Sequence, residues 1–595
     1  MRIEEGFQLT QIPEPNPYPS DLVLPSLLRR LLPASYCKTI DADLFRFGER
    51  ITNEIRQVSE LAEPPSLTQY NHWGQRIDEL RTSEGWRKLK AIAQAEGLVG
   101  IFYEREFQEY SRLYGFAKVM LMVGDGQVVF CPLSMTDGCA RILEVMGTPE
   151  MKREIYPRLI SRNPDDAFTS GQWMTERTGG SDVSQTETIA TPCSSSTAHG
   201  SEFKLDGFKW FSSATDSDVA VALARTGPAK DGSRSLSLFL VPLCLPLLRP
   251  AGTPRPSSTS NGILVHRLKK KIGTHIVPTA ELSLNNTEAY LVSKLNEGVK
   301  SITPVLNITR IHSAIGSVGS LRRALSLARE YATVRTVQGG TVHLSNVPLH
   351  VAELAKISII YRALAHLVFG AVHLLGKTEC GVATSDEERR LRLLTPVAKA
   401  FSAEKACTAM EECMAALGGQ GYMEETGIGR LIRDCLVEKI WEGTITVLSL
   451  DLVRATRDRT TVEAYAKWAN AILSSCPTTL HQDISLALAT LRTVLTEIIG
   501  VFSQPDALPP LVPRPALMLF SHVTASLYLL EHAIWSHKGN ESEHKTDAEV
   551  FIRWVEENGM KAAGDDVRRM MESGVQRQND DMAIVYGSAG GKAKL

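Results

Sequence analysis

A β-rich stretch between Phe168 and Leu295 interrupts a chain whose remaining length is patterned as helix, and that order restricts the architectures open to it. Short apolar runs there (Val219 to Ala224, Leu236 to Val241, Ala280 to Leu284) are separated by loops, as strands of a packed or closed sheet would be. The Ser/Thr/Pro-rich stretches Thr191 to Ser201 and Pro250 to Asn261 read as long exposed connections. From about Leu44 to Leu159 the pattern is helical, as in Trp86 to Leu98, with no strand-rich region. After Thr303 the helices return. Ile308, Ile311, Ile315, Val318, Leu325, Ala328 and Ala332 recur at intervals of three, four or seven and predict one long helix with a buried stripe. Further helical patterns cover Val397 to Leu417 and Glu442 to Arg454, and a helical segment beyond Arg457 is broken by the proline-rich Pro505 to Pro515.

A chain of 595 residues is too long for one hydrophobic core. The expected fold is mostly α with a central β domain. It comprises an N-terminal helical domain with a proline-rich leader (1–165), a β-rich middle domain built as a barrel or sandwich (166–298), a helical bundle (299–460) and an extra helical appendage (461–595).

Composition removes several classes. A formal net charge of -2 gives no electrostatic reason to expect nucleic acid or an anionic membrane as the main partner. The most apolar stretch in this reading, Leu236 to Leu248, is interrupted by Pro242 and Pro246 and falls short of the roughly 20 apolar residues that span a bilayer, so no membrane span is expected. The N-terminus lacks the apolar core of a secretory signal. Ten cysteines without CxxC pairs fit a reduced compartment better than a disulfide or zinc scaffold. The final Ala593-Lys594-Leu595 resembles a peroxisomal address of the Ser-Lys-Leu type, which makes the peroxisome the expected location and its import receptor an expected partner.

Two segments carry chemistry. Met174-Thr175-Glu176-Arg177-Thr178-Gly179-Gly180-Ser181-Asp182-Val183 combines hydroxyls, paired glycines and backbone amides, which close approach to a flavin ring and a pyrophosphate requires. Far downstream, Trp441-Glu442-Gly443-Thr444 sets a carboxylate beside an aromatic at the start of a helix. A carboxylate desolvated by an apolar wall is basic enough to remove a proton α to a thioester. Alone, Glu442 would equally read as a helix cap.

With Leu417-Gly418-Gly419-Gln420-Gly421-Tyr422-Met423 in the same order, these segments resemble the acyl-CoA dehydrogenase family over roughly residues 70 to 460, and within it the AidB-like branch, in which tryptophan stands at Trp441. The resemblance implies FAD as cofactor, an acyl-CoA thioester as substrate and Glu442 as base. Met174, Thr175, Gly180 and Ser181 would line the FAD. Thr175 would meet the pyrimidine edge and Ser181 the pyrophosphate, while Asp182 serves the turn. In Gly207-Phe208-Lys209-Trp210-Phe211-Ser212, Trp210 would pack on the flavin and Ser212, where threonine is common, would bond near its reactive nitrogen. Arg310 matches an arginine near the base, and Thr444 a further cofactor contact. Arg335 matches an arginine that reaches the FAD phosphates of a neighbouring subunit, and Gly418 and Gly419 a platform for that cofactor's adenosine half. Arg310 and Arg335 lie 25 residues apart, about 37 Å along a helix, which implies a homodimer or homotetramer. Gln338 and Ala415 depart from the family's usual phenylalanine and glutamine. Lys269-Lys270-Lys271 reads as a solvated loop face, with a place near a CoA phosphate as its other reading, and His312 as a polar residue on a helix face rather than a second acid.

The leading expectation is a dehydrogenase that introduces an α,β double bond, in peroxisomal β-oxidation or in acyl-chain tailoring for a secondary metabolite. An oxidase that passes electrons to O2 stays open, because the acceptor, a flavoprotein or oxygen, is not encoded in these motifs. The AidB-like branch adds a nucleic-acid-associated flavoprotein. Residues 461–595 carry 12 Lys and Arg against 16 Asp and Glu, which argues against a DNA surface there.

Overall fold

The computed structural model describes residues 12–587 apart from 198, 249–252, 254, 255, 257 and 258; the terminal Ala593-Lys594-Leu595 lies outside the described residues. The element order is helices, a central β domain, helices, then additional C-terminal helices. The chain divides into two compact units, one drawn from Met1–Tyr361, Ala371–Val382 and Ser402–Gly443, the other from Arg362–Gly370, Ala383–Phe401 and Thr444–Leu595.

In the first unit the helical N-terminal region contains a hairpin that the helical reading missed, β1 (Ser66–Tyr70) and β2 (Arg76–Arg81). Asn71 accepts the backbone amides of Trp73 and Gln75 to form its turn, with Gly74 at φ +74°. Gln69 and Arg76 donate to the Val265 carbonyl, so the hairpin is tied to β8 (Ile263–Leu268).

The middle region holds β3 (Ser170–Trp173), β4 (Ile189–Thr197), β5 (Gly200–Ser213), β6 (Val219–Arg225), β7 (Leu236–Pro242), β8 and β9 (Thr279–Leu291). Neighbours run β3-β6-β4-β5-β9-β7, and a β6–β7 pairing closes the ring, with β8 added on β9. Closure leaves few edges, as a barrel does. Ala220, Ala222, Ala224, Phe239, Val241, Leu282 and Phe203 fill its core. The expected connection Thr191 to Ser201 is instead most of a hairpin: β4 pairs antiparallel with β5, and Gly200 turns at φ +116°. Hydroxyl-rich composition misled here, because threonine suits a half-exposed strand as well as a loop. Of Pro250 to Asn261, most lies outside the described residues.

The predicted long helix is Gly298–Val334, and its seven stripe residues are all buried. Its first turn meets β7 so closely that a Cβ on Gly298 would stand 2.7 Å from the Ser237 carbonyl carbon. In the second unit, helix Pro513–Gly539 is almost wholly buried, and the Tyr465 hydroxyl pairs with Thr524 at 2.9 Å. Among the described residues, three helices are long and apolar enough, by length and composition, to cross a membrane: Pro348–Glu379, Ser485–Phe502 and Pro513–Gly539, with 83%, 44% and 89% of their apolar windows buried.

Candidate active site

The β side of the site is shaped by an interruption in β5. Lys209 faces Leu282 and Ser212 faces Ala280 on β9, so Trp210 and Phe211 together oppose the single residue Glu281. Such a bulge turns side chains out of the regular alternation, as it commonly does beside active sites. The freed Trp210 amide donates to the Thr175 carbonyl at 3.0 Å, which joins the strand to the 174–183 loop. Ser212 is fully buried, and its Oγ has no hydrogen-bond partner among the described residues.

A buried ion pair anchors the loop. Lys209 Nζ lies 2.6 Å from Glu176 Oε1, and Glu176 also accepts from the Thr188 hydroxyl and the Glu187 amide, each at 2.6 Å. Burial works against the Glu176 carboxylate, but Lys209 and these donors outweigh it and hold its pKa below the ordinary range. Glu176 bridges to Gly179, and a Cβ on Gly180 would crowd the Thr175 side chain at 3.1 Å, so the backbone there lies open as the motif requires. Asp182 accepts the Ser184 amide at 2.9 Å, the turn role expected of it. Ser181 is exposed and Met174 half-buried.

The helical side presents Glu442. Its backbone is left-handed at φ +57°, followed by Gly443 at +103°. The helix begins only at Ile445, and Thr444 is its N-cap, accepting the Val447 amide at 3.3 Å. The capping role open to Glu442 in the sequence therefore belongs to Thr444. Glu442 Oε2 instead accepts the hydroxyl of buried Thr309 at 2.6 Å, and Arg310 Nε approaches the Glu442 carbonyl at 3.4 Å.

Cys131, at the start of helix Phe130–Met146, is buried and feels charges from both sides. Burial pushes its thiol up to about 12, and the groups that tune it further are Lys271, Glu438, Glu442 and the Ser213 hydroxyl. A strand residue next to Ser212 and the carboxylate of Glu442 thus both bear on one buried thiol. The orphaned Ser212 hydroxyl, the indole of Trp210 and the glycine-opened loop fit an isoalloxazine ring.

Sequence reasoning missed Thr309, Cys131 and Lys271. Thr309 immediately precedes Arg310, and only the helical phase could have pointed it at Glu442. The lysine run is not a solvated face. Lys269 stands 3.2 Å from the Trp210 ring centroid and pairs with Glu281, and Lys271 donates to the Val277 carbonyl at 2.6 Å while burial pulls its pKa down to about 8. Only Lys270 is exposed. His312 is likewise not a surface residue, since it is buried 2.8 Å from Asp137, which also binds Arg112 and Tyr103. Arg335, just past the end of the long helix, and Gly418 and Gly419, with open space where Cβ atoms would be, are exposed and do not join this cluster.

Comparison with known proteins matches three family descriptions to successive parts of the chain. The description "Acyl-CoA dehydrogenase, middle domain" matches residues 171–287, "Acyl-CoA dehydrogenase, C-terminal domain" matches 296–456, and "Adaptive response protein AidB N-terminal domain" matches 8–166. Acyl-CoA dehydrogenase family member 11 of Caenorhabditis elegans is 38% identical over 92% of this chain and 88% of its own length. Putative acyl-CoA dehydrogenase AidB of Escherichia coli is 28% identical over 70% of this chain and 74% of its own. The crystal structure of Caenorhabditis elegans ACDH-11 in complex with C11-CoA superposes with a TM-score of 0.85 at 35% identity, covering 98% of this chain and 97% of that one.

Proposed function

The chain belongs to the acyl-CoA dehydrogenase family of FAD-dependent oxidoreductases, and on that premise we propose that it removes hydrogen from the α and β carbons of an acyl-CoA thioester to leave an α,β double bond. The supporting observation is a carboxylate, Glu442, held by the Thr309 hydroxyl instead of capping a helix, in a chain whose bulged strand turns out Trp210 and leaves the buried Ser212 hydroxyl without a partner among the described residues. FAD, when bound, supplies the acceptor for the β hydride. Met174, Thr175, Gly180, Ser181, Trp210 and Ser212 are the residues that would hold it.

Glu442 takes the α proton. The Thr309 hydroxyl fixes one carboxylate oxygen and Arg310 steadies the backbone that carries it, so the base is oriented before substrate arrives. The C11-CoA complex of the nematode relative supports beginning with chains of that length.

Anaerobic addition of a panel of acyl-CoAs to the purified protein is expected to remove its yellow absorbance with at least one of them. Persistence of the colour with every member would overturn the reading. In air, peroxide formed in proportion to acyl-CoA consumed would identify an oxidase, and its absence a dehydrogenase that uses a protein acceptor.

A peroxisomal location is proposed on the Ala593-Lys594-Leu595 sequence alone. Deleting these three residues from a fluorescent fusion is expected to turn a punctate signal cytosolic, and an unchanged distribution refutes the proposal.

A further inference from the structure

Glu442 and a second carboxylate both accept from side-chain hydroxyls of the long helix. Thr309 and Ser313, one turn apart on Gly298–Val334, donate to Glu442 and to Glu438 respectively. Glu438 is 9% exposed and accepts the Trp441 indole N–H through the same oxygen that Ser313 contacts. Its seat needs Gly316, where a Cβ would stand 3.1 Å from Glu438 Oε1. Residues one turn apart on a helix have Cβ atoms roughly 6 Å from each other, which sets the scale of separation for the two carboxylates they hold. The aromatic next to the base is thus clamped by a second acid four residues upstream.

We propose that Glu438 is a positioning residue for the reaction: it locks Trp441 against the long helix and, as a neighbouring negative charge, keeps Glu442 basic. This rests on Glu442 being the base. A charge about 6 Å away favours the protonated form of its neighbour, so its removal lowers that neighbour's pKa. The other titratable or charged groups around the pair are Arg310 on the long helix, Cys131 on Phe130–Met146, Lys271 before β9, Cys407 and Glu404 on Ser385–Ala416, and Cys435 and Lys439 on the segment itself.

The test uses the FAD-loaded protein with Glu438→Gln, Glu438→Asp and Ser313→Ala. Glu438→Gln keeps the shape and removes the charge. It is expected to retain FAD and bind acyl-CoA normally, while the acid limb of the bleaching rate moves down by about one pH unit. Glu438→Asp keeps the charge and is expected to keep the limb near its original position, at a rate about tenfold lower because the clamp is looser. Among the eight indole N–H resonances, the one lost in Trp441→Phe is expected to move in Glu438→Gln without any substrate present. An unmoved acid limb together with an unmoved indole resonance overturns the proposal. If Glu438→Gln does not fold, Ser313→Ala decides: a several-fold lower bleaching rate at unchanged acyl-CoA affinity supports the clamp, and an unchanged rate refutes it. Failure of the unaltered protein to bleach would instead strike the dehydrogenase reading, and the indole measurement would still judge the clamp.

Discussion

Glu442→Gln is expected to purify as a folded yellow protein that keeps its colour when acyl-CoA is added without oxygen, with bleaching slowed by about 10³-fold. Glutamine suits the left-handed backbone at this position no worse than glutamate, and its carbonyl oxygen can still accept from Thr309, so the fold and the pocket persist. What disappears is the carboxylate proposed to accept the α proton. Rapid-mixing absorbance under anaerobic conditions measures the effect, and bleaching at the original rate would remove Glu442 from the chemistry.

Lys209→Met is expected to cost about 3–5 kcal/mol in stability and to release FAD, although Lys209 touches no cofactor in the proposed arrangement. The lysine is fully buried, and without it Glu176 would be an uncompensated charge 3% exposed beneath the 174–183 loop. Combining it with Glu176→Gln should restore much of the stability, because both charges are then gone. Thermal melting and the ratio of flavin to protein report the two losses. The sign with pH follows from Glu176, whose folded pKa is depressed: its contribution is present above the ordinary carboxylate pKa and fades as the pH drops toward the folded value. Acidification of the intact protein should therefore loosen the cofactor loop, and a single variant as stable as the parent would show that the pair carries no such burden.

The sequence was most readable where periodicity and glycine chemistry act alone. The buried stripe from Ile308 to Ala332 follows from helical spacing, and the opening at Gly180 from the absence of a side chain. It was least readable where distant segments decide a residue's surroundings. Lys269 and Lys271 are a charged run on paper, yet the β8–β9 connection folds one over Trp210 and buries the other near Cys131. His312 has the spacing of a helix surface, and only the approach of Asp137 from another helix gives it a buried partner. Thr444 and not Glu442 caps the following helix because Thr444 has the extended backbone an N-cap needs, whereas Glu442 is left-handed. The hairpin at Ser66–Arg81 escaped notice because five-residue strands with a polar face carry little periodic signal.

The positive φ of Glu442 carries a lesson for how such an enzyme can decay. In that conformation glycine and asparagine are the comfortable occupants, and glutamate is held there at the expense of backbone ease. A descendant released from selection for catalysis should drift to one of those two residues at this position sooner than to alanine or valine. A single codon thus becomes a tell-tale for retired members of the lineage.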